Sequence, residues 1–564
     1  MRILRIERAT LFLPLLVLAA LMLFPLAGRA QSKTGNVAEQ PESPEVASII
    51  NRIIASEMQL SEKVKEYSPR VETYVQYFKP DAELGDITTN DAYFLGRLTF
   101  DQQAKEVSII PDTSSWLRRG LAPLGRPFAA AHLFLDEFAA GTLAVDSLNF
   151  DRQHYTFEPV RWEYLGDVRC LAINVHPREN AGSGAFQGRI WAEDHNYAIV
   201  RFNGTRINPP RSEFYVHFDC WRENLQPGMW APVYIYSQES DLTKKLRYKS
   251  VTRLWGYDLT VRHPQQEWTK ILVDAPAPVH DSSEVTSVLS PVESKRQLDI
   301  DAEHNVLDRL EKARLIAPPG PVDKVFETVV NNLVVTNHLD NLPPIHCRVM
   351  LTSPLESFTL NYTIVLSRGL IDVLPDEASL AMVLAHELAH IALGHRLDAK
   401  YAFNDRLQVS DEEVLTSLDL ARSPQDEGAA DARGIVFLDN SPYKDKLDQA
   451  RLFLRAAVEA TPHAPHLFGA QLGNALSGGN KMIRMAALMS AAPALRPKSV
   501  EQMAALPLGS RLQVNAWDGT VTLMNQKAVS LVDASEKMPF RVTPVIPHLR
   551  LYEQTQRSNV TVQK

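Results

Sequence analysis

The spacing of hydrophobic and polar positions changes repeatedly along the chain. Over 45–79, apolar residues such as Ile49, Ile53 and Ile54 recur at helical spacing, which predicts a helix. From about 90 to 265 the period falls to two. In Phe214-Tyr-Val216-His-Phe218-Asp-Cys220 one face is apolar and the other mixed. Arg189-Ile-Trp-Ala and Ala198-Ile-Val-Arg-Phe flank the turn-like Glu193-Asp-His-Asn196, which predicts an antiparallel hairpin. Residues 274–297 lack a period and hold Ala-Pro-Ala-Pro and Asp-Ser-Ser-Glu, a linker composition. Helical spacing dominates from about 300 to 500, broken by short strands near 345–366. Beyond it, Asn515-Ala-Trp-Asp-Gly519-Thr-Val-Thr-Leu places an Asp-Gly hairpin turn between apolar runs.

These segments predict an α+β, multidomain chain. The expected divisions are a signal peptide at 1–30, a tether and helical segment at 31–89, and a β-rich domain at 90–273. A linker at 274–297, a mostly helical domain at 298–500 and a small β-rich module at 501–564 follow. In pattern, the β-rich stretch resembles the half-barrel of the lipoprotein-carrier family, in which strands wrap around a helix and a hydrophobic groove. No internal repeat stands out.

Composition adds limits. An apolar fraction of 45% with 22% charged residues is that of a globular protein. A net charge of -8 and the lack of a long basic run argue against nucleic acid as a partner. Arg2, Arg5 and Arg8 precede an apolar run from Leu11 to Leu26, and Gly28-Arg29-Ala30 forms a small-x-small site. That is the pattern of a secretory signal peptide, so the chain is expected in the periplasm or outside the cell. The alternative is an uncleaved N-terminal anchor, which Pro14 and Pro25 disfavour. Three cysteines do not make a disulfide scaffold. Cys170 and Cys220, both on strand-like segments, can either pair or stay as buried thiols.

The chemistry concentrates in Leu380-Ala-Met-Val-Leu-Ala-His386-Glu387-Leu-Ala-His390-Ile-Ala-Leu-Gly394. A helix apolar all round is a buried helix. Its polar side chains therefore need partners. His386 and His390, four apart, lie on one face and can share a tetrahedral zinc. Glu387 adjoins the first of them, within reach of a water at the metal. The motif H-E-x-x-H-x-x-G-x-x-H is not completed. Leu393 stands at its glycine, Arg396 at its last histidine, and His395 is one place out of register. The third ligand must come from elsewhere. Ser423 can cap a helix with Pro424 in its first turn, from which Glu427 and Asp431 project on one face. Glu427 can ligate the metal, and Asp431 can accept the free N–H of a ligand histidine. Glu412 and Glu413 are the competing ligands.

The run Ser367 to His395, together with Glu427-x-x-Ala430-Asp431, closely resembles the M48 peptidases over about residues 300–470. That family includes CAAX prenyl proteases, heat-shock membrane proteases and soluble periplasmic members. The resemblance implies a zincin fold: an active-site helix, a second ligand-bearing helix, and a small sheet whose edge strand, by position Phe358-Thr-Leu-Asn-Tyr-Thr-Ile-Val, binds substrate. Family members commonly carry Asn-Ala-Phe where this chain has Glu356-Ser357-Phe358.

The expected activity is that of a zinc metalloendopeptidase holding one zinc ion per chain. A zinc-activated water attacks the peptide bond with Glu387 as general base. His463 and His466 are candidate oxyanion donors. Substrates are expected to be proteins or peptides, including envelope or lipidated proteins, with peripheral membrane association. Two other readings stand beside this one. The chain can be an envelope assembly or quality-control factor with gated proteolysis, or a zinc aminopeptidase.

Overall fold

The computed structural model describes residues 43–82, 85–100, 104–109, 142–146, 149–182, 184–207, 215–240, 246–260, 290–396, 414–415, 418, 420–478, 481–496, 504–505, 511–524, 529–530 and 549–552. The signal-like segment 1–30 and the carboxylates Glu412 and Glu413 lie outside them. The chain divides into two compact units, 1–47 and 48–564. The described part of the first, residues 43–47, is the start of helix α1 (Pro44–Lys63).

The helix expected over 45–79 ends at Lys63, and β1 begins at Arg70. From there the residues alternate. Val71, Thr73 and Val75 point one way, and Arg70, Glu72, Tyr74 and Gln76 the other. Both faces are buried, so no apolar-polar contrast marks the strand.

Ten strands form one antiparallel sheet in the order β3-β2-β1-β10-β9-β8-β7-β6-β5-β4. They are β1 (Arg70–Asp81), β2 (Gly85–Phe100), β3 (Ala104–Ser108), β4 (Tyr155–Leu165), β5 (Val168–Pro177), β6 (Phe186–Glu193), β7 (Ile199–Arg206), β8 (Tyr215–Gln226), β9 (Met229–Ser240) and β10 (Leu246–Trp255). Strands β4 to β10 form an up-and-down meander, and β1 adds to β10. Helix α1 is tied to this sheet. Ile50 and Ile53 are fully buried, and the Glu57 carboxylate takes both terminal nitrogens of Arg222 on β8 at 2.6 and 2.7 Å. The three thiols are buried and unpaired. Cys170 on β5 and Cys220 on β8 are three strand spacings apart, about 14 Å, which is beyond disulfide reach.

The second half begins with α2 (Pro291–Lys312), capped by Ser290 inside the stretch read as linker, and α3 (Pro321–Thr336). A small sheet follows in the order β11-β13-β12-β14. Its strands are β11 (His346–Met350), β12 (Glu356–Leu360), β13 (Thr363–Ser367) and β14 (Asn474–Ala475). Helices α4 (Arg368–Val373) and α5 (Glu377–Leu393) pack against it, and α6 (Pro424–Asp439) and α7 (Asp448–Ala460) pack against α5. The chain is thus α+β, with the large antiparallel sheet first and the helical half after it. The expected Asp-Gly hairpin forms between Leu512–Val514 and Val521–Leu523, with Gly519 at φ 75°.

A polar seam joins the sheet to the helical half. Glu72 on β1 is fully buried and accepts from Ser353 Oγ at 2.8 Å and from Arg368 at 2.9 Å. Arg70 donates to the Ala313 carbonyl at 2.6 Å. Asp91 on β2, also fully buried, accepts from the backbone N–H groups of His466 and Leu467 at 2.9 and 2.8 Å. Each buried carboxylate is matched by several donors, the condition under which burial of charge is tolerated.

Candidate metal centre

Helix α5 starts where the Asp376 side chain accepts from the N–H of Ser379, and it ends at Gly394 in the left-handed region. From Ala378 to Ile391 only Leu380 escapes burial. Helix α6 starts on Ser423, whose hydroxyl accepts from the Asp426 N–H, with Pro424 in its first turn. The two helices cross at Gly434, where the α6 backbone lies directly on Ala385 and His386.

That crossing gathers His386, His390 and Glu427, all buried, with one donor atom from each lying within 4.8 Å of the others. The Nε2 atoms of the two histidines are 3.2 Å apart. Glu427 oxygens stand 3.3 Å from His386 Nε2 and 3.4 Å from His390 Nε2. A tetrahedral zinc with bonds of about 2.05 Å separates its ligand atoms by about 3.3 Å. The spacing of the two Nε2 atoms, and the distance from each of them to its own Glu427 oxygen, are close to that separation. The other ring nitrogens are engaged. His386 Nδ1 meets Asp431 Oδ1 at 2.9 Å, and His390 Nδ1 meets His395 Nδ1 at 2.9 Å. With Asp431 accepting the Nδ1 proton, the Nε2 lone pair of His386 is directed at the common point. Two imidazole lone pairs at 3.2 Å repel unless a proton or a cation lies between them, so the donor set suits a divalent metal.

Glu387 is fully buried on the adjoining face. Its Oε1 accepts from Ser357 Oγ at 2.7 Å and Arg484 at 3.0 Å, and its Oε2 from Thr359 Oγ1 at 2.7 Å. Ser357 and Thr359, two apart on β12, face it together. Arg484 also donates to Glu427 at 2.8 Å and to the Ser357 carbonyl at 3.1 Å. Burial opposes ionisation of Glu387, but Arg484 and the two histidines outweigh it and hold its pKa below the usual carboxylate value. Glu427 is held well below that value, because hydrogen bonds from His386 and His390 and the Arg484 charge overcome its burial. Burial lowers the pKa of His390. For His386, burial and Arg484 disfavour the charged form, but hydrogen bonds to Asp431 and Glu427 prevail and raise it.

The two histidines of Pro462-His-Ala-Pro-His466 are not brought into this group. His463 is exposed in a 3-10 turn. The His466 ring meets Asp91 on β2 at 2.9 Å, so the seam claims it and it is not aimed at the carboxylates as an oxyanion donor. The residue missed in the sequence is Arg484. Its signal was there: a lone cation in the apolar run Met482-Ile-Arg484-Met-Ala-Ala-Leu-Met needs a buried partner as much as His386 does.

Among curated proteins, none matches the chain. Several solved structures align with it, among them the following two. One is a DUF1329 family protein from Desulfovibrio piger, at 9% identity, covering 36% of this chain and 90% of that one with a TM-score of 0.19. The other is a domain from Vibrio parahaemolyticus described as outer membrane lipoprotein-sorting, at 11% identity, covering 36% and 89% with a TM-score of 0.20. The model of Peptidase family M48 matches residues 323–410, a stretch that holds α3, the first three strands of the small sheet, α5 and the His-Glu-x-x-His run. Over residues 323–410 the chain is therefore similar to peptidase family M48.

Proposed function

We propose that the chain is a zinc-dependent endopeptidase of the cell envelope. His386, His390 and Glu427 hold the metal, and Glu387 serves as general base. The observation that carries this reading is the buried donor cluster: the two Nε2 atoms are 3.2 Å apart, each has its own Glu427 oxygen at 3.3 or 3.4 Å, and the outer imidazole nitrogens are engaged elsewhere. When bound, zinc polarises the scissile carbonyl and makes water a stronger acid. Glu387, kept ionised beside it, takes the proton of the attacking water and delivers it to the leaving amine nitrogen. Ser357 and Thr359 fix the orientation of that carboxylate. Arg484 holds Glu387 and Glu427 in register, and Asp431 fixes the ring of His386. Proteins and peptides are the substrates, envelope and lipidated ones among them.

Export rests on the N-terminal pattern of positive charge, apolar run and small-residue site. Among the described residues, no helix is long and apolar enough to cross a membrane. The division into a β-rich domain at 90–273, a peptidase domain at 298–500 and a C-terminal module at 501–564 is part of the same proposal.

Metal analysis tests the centre. The purified protein should hold about one zinc, and His386→Ala and Glu427→Ala should lose it. Glu387→Gln should keep the metal and abolish hydrolysis of an unfolded protein. Metal-free preparations that bind no added zinc would end the assignment. A second reading is favoured by one observation: Glu387 and the three ligands are at most 3% exposed. On that reading the chain is chiefly an assembly or quality-control factor with gated proteolysis. It is preferred if envelope function survives in Glu387→Gln.

A further inference from the structure

Zincin substrates need an edge strand with free backbone groups, since an extended peptide joins it by main-chain hydrogen bonds. In this chain the outer edge of β12 is already taken, by the chain itself. Strand β14 pairs antiparallel with its start, setting Ala475 opposite Glu356 and Asn474 opposite Ser357. The next backbone acceptors are claimed by two buried arginines. Arg484 donates to the Ser357 carbonyl at 3.1 Å, and Arg422 donates to the Thr359 carbonyl at 2.9 Å. Ser357 and Thr359 are two apart, so these carbonyls open on the same edge.

The segment responsible is anchored at successive points. Before it, Asp91 of the large sheet binds the N–H groups of His466 and Leu467. The Glu356 carboxylate accepts three successive N–H groups, from Gln471 and Leu472 at 3.0 Å and from Gly473 at 3.3 Å. Asn474 exchanges hydrogen bonds with the backbone of Arg422 in both directions. The Ser477 hydroxyl meets that of Thr461. Further on, Arg484 enters the catalytic centre and bridges Glu387 and Glu427, and Met485 follows it in the left-handed region at φ 56°. A buried methionine in that conformation is strained, and such strain persists only where surrounding contacts impose it. The outcome is a centre closed to a polypeptide: Glu387 and His390 are fully buried, and His386 and Glu427 nearly so.

We propose that residues 471–478 form a built-in strap that occupies the substrate edge and keeps the peptidase latent, and that a peptide enters only when the strap leaves β12. The inference rests on the endopeptidase reading above and names the regulation of that site. Glu356, at the position where the related peptidases commonly carry asparagine, is the clasp. Its charge is matched to the N–H groups of the strap, with no counterpart to this contact in an incoming peptide specified in advance. Asp91 couples the strap to the large sheet, so a client that shifts β2 would loosen it.

The test uses the full-length, zinc-loaded protein in two variants, neither altering a ligand or the general base. Thr461→Cys/Ser477→Cys staples the strap, since the two hydroxyls already touch and a disulfide spans a similar gap. Asn474→Ala frees it by removing the exchange with Arg422. Two rates are read, cleavage of dye-labelled casein and capture of the zinc by a chromogenic chelator. Oxidised staple, verified by mass, should slow both by about tenfold or more, with recovery on reduction. Asn474→Ala should accelerate both on the order of tenfold, the factor expected from losing a pair of neutral hydrogen bonds. Equal rates for the oxidised and reduced staple would overturn the strap. If zinc capture follows the strap while no form cleaves casein, the strap stands and the endopeptidase reading falls.

Discussion

Gly434 sits where the two ligand-bearing helices touch, seven residues and so two turns after Glu427 on α6. A methyl group added there would lie 3.1 Å from the Ala385 carbonyl oxygen and 3.2 Å from both the nitrogen and Cα of His386. Ordinary carbon contacts are about 3.5–4.0 Å, so Gly434→Ala must force α6 away from α5 by about 0.3–0.8 Å at the crossing. Metal sites tolerate about 0.2 Å in ligand distance. The displacement acts on the His386 backbone itself, so it lengthens the distance from His386 Nε2 to Glu427. Two terms act on folding without metal: overpacking costs about 1–3 kcal/mol, and replacing a helical glycine by alanine returns about 1 kcal/mol. The metal-free protein should therefore lose little stability, about 2 kcal/mol at most. Zinc affinity should fall by about ten- to a hundredfold, as it does when ligands are mispositioned. Competition against a chelator of known affinity measures the second quantity, and urea denaturation in excess chelator the first. An unchanged zinc affinity would refute the idea that this crossing sets the ligand distances.

Further outcomes follow from buried charge. Glu57→Gln leaves Arg222 without its bidentate carboxylate while both positions are at most 2% exposed. A stability loss of about 3–5 kcal/mol is expected by urea denaturation, and a loss under about 1 kcal/mol would contradict a buried pair. Burial pushes Asp323, on α3, up to about 6, against the hydrogen bond it accepts from the Gly320 N–H. The folded state then binds this proton more tightly than the unfolded chain. The stabilisation is present below about pH 4 and is lost as pH rises through about 6. Asp323→Asn should remove that slope, and wild type and variant should diverge between pH 4 and 6 in melting experiments. Parallel curves would show that Asp323 does not titrate there. Chelation of the metal should lower the melting temperature of the wild type and leave that of His386→Ala unmoved, because only a site that binds can transmit ligand free energy to the fold.

The candidate metal centre was the most legible part of the chain because its signal is local. Two histidines and a glutamate in an otherwise apolar helix require a partner, and Ser423-Pro424 marks the start of the helix that brings Glu427 and Asp431. The structure places all of these around one point. The meander was legible for the same reason, since hairpins join neighbours in sequence. The β1 strand was not. Its polar residues Glu72 and Gln76 blur the two-residue period, and the partners that make Glu72 tolerable, Ser353 and Arg368, lie 281 and 296 residues further on. The surroundings of His466 were not legible, because Pro465-His466-Leu467 says nothing of the aspartate on a distant strand that binds it. Glu356 drew notice only as a departure from the related peptidases, and its three N–H partners appear once the chain has folded back over β12.

The polar seam has a consequence for anyone who would isolate the catalytic half. A fragment starting at residue 290 would strip Glu72 from Arg368 and Ser353, and Asp91 from the turn at His466, and so uncover a guanidinium and several N–H groups that water has never had to solvate in the intact protein. Trimming would therefore loosen Ser353, Arg368 and the His466 turn before it touched the chemistry. Any transplant of this centre to another carrier has to bring β1 and β2 with it.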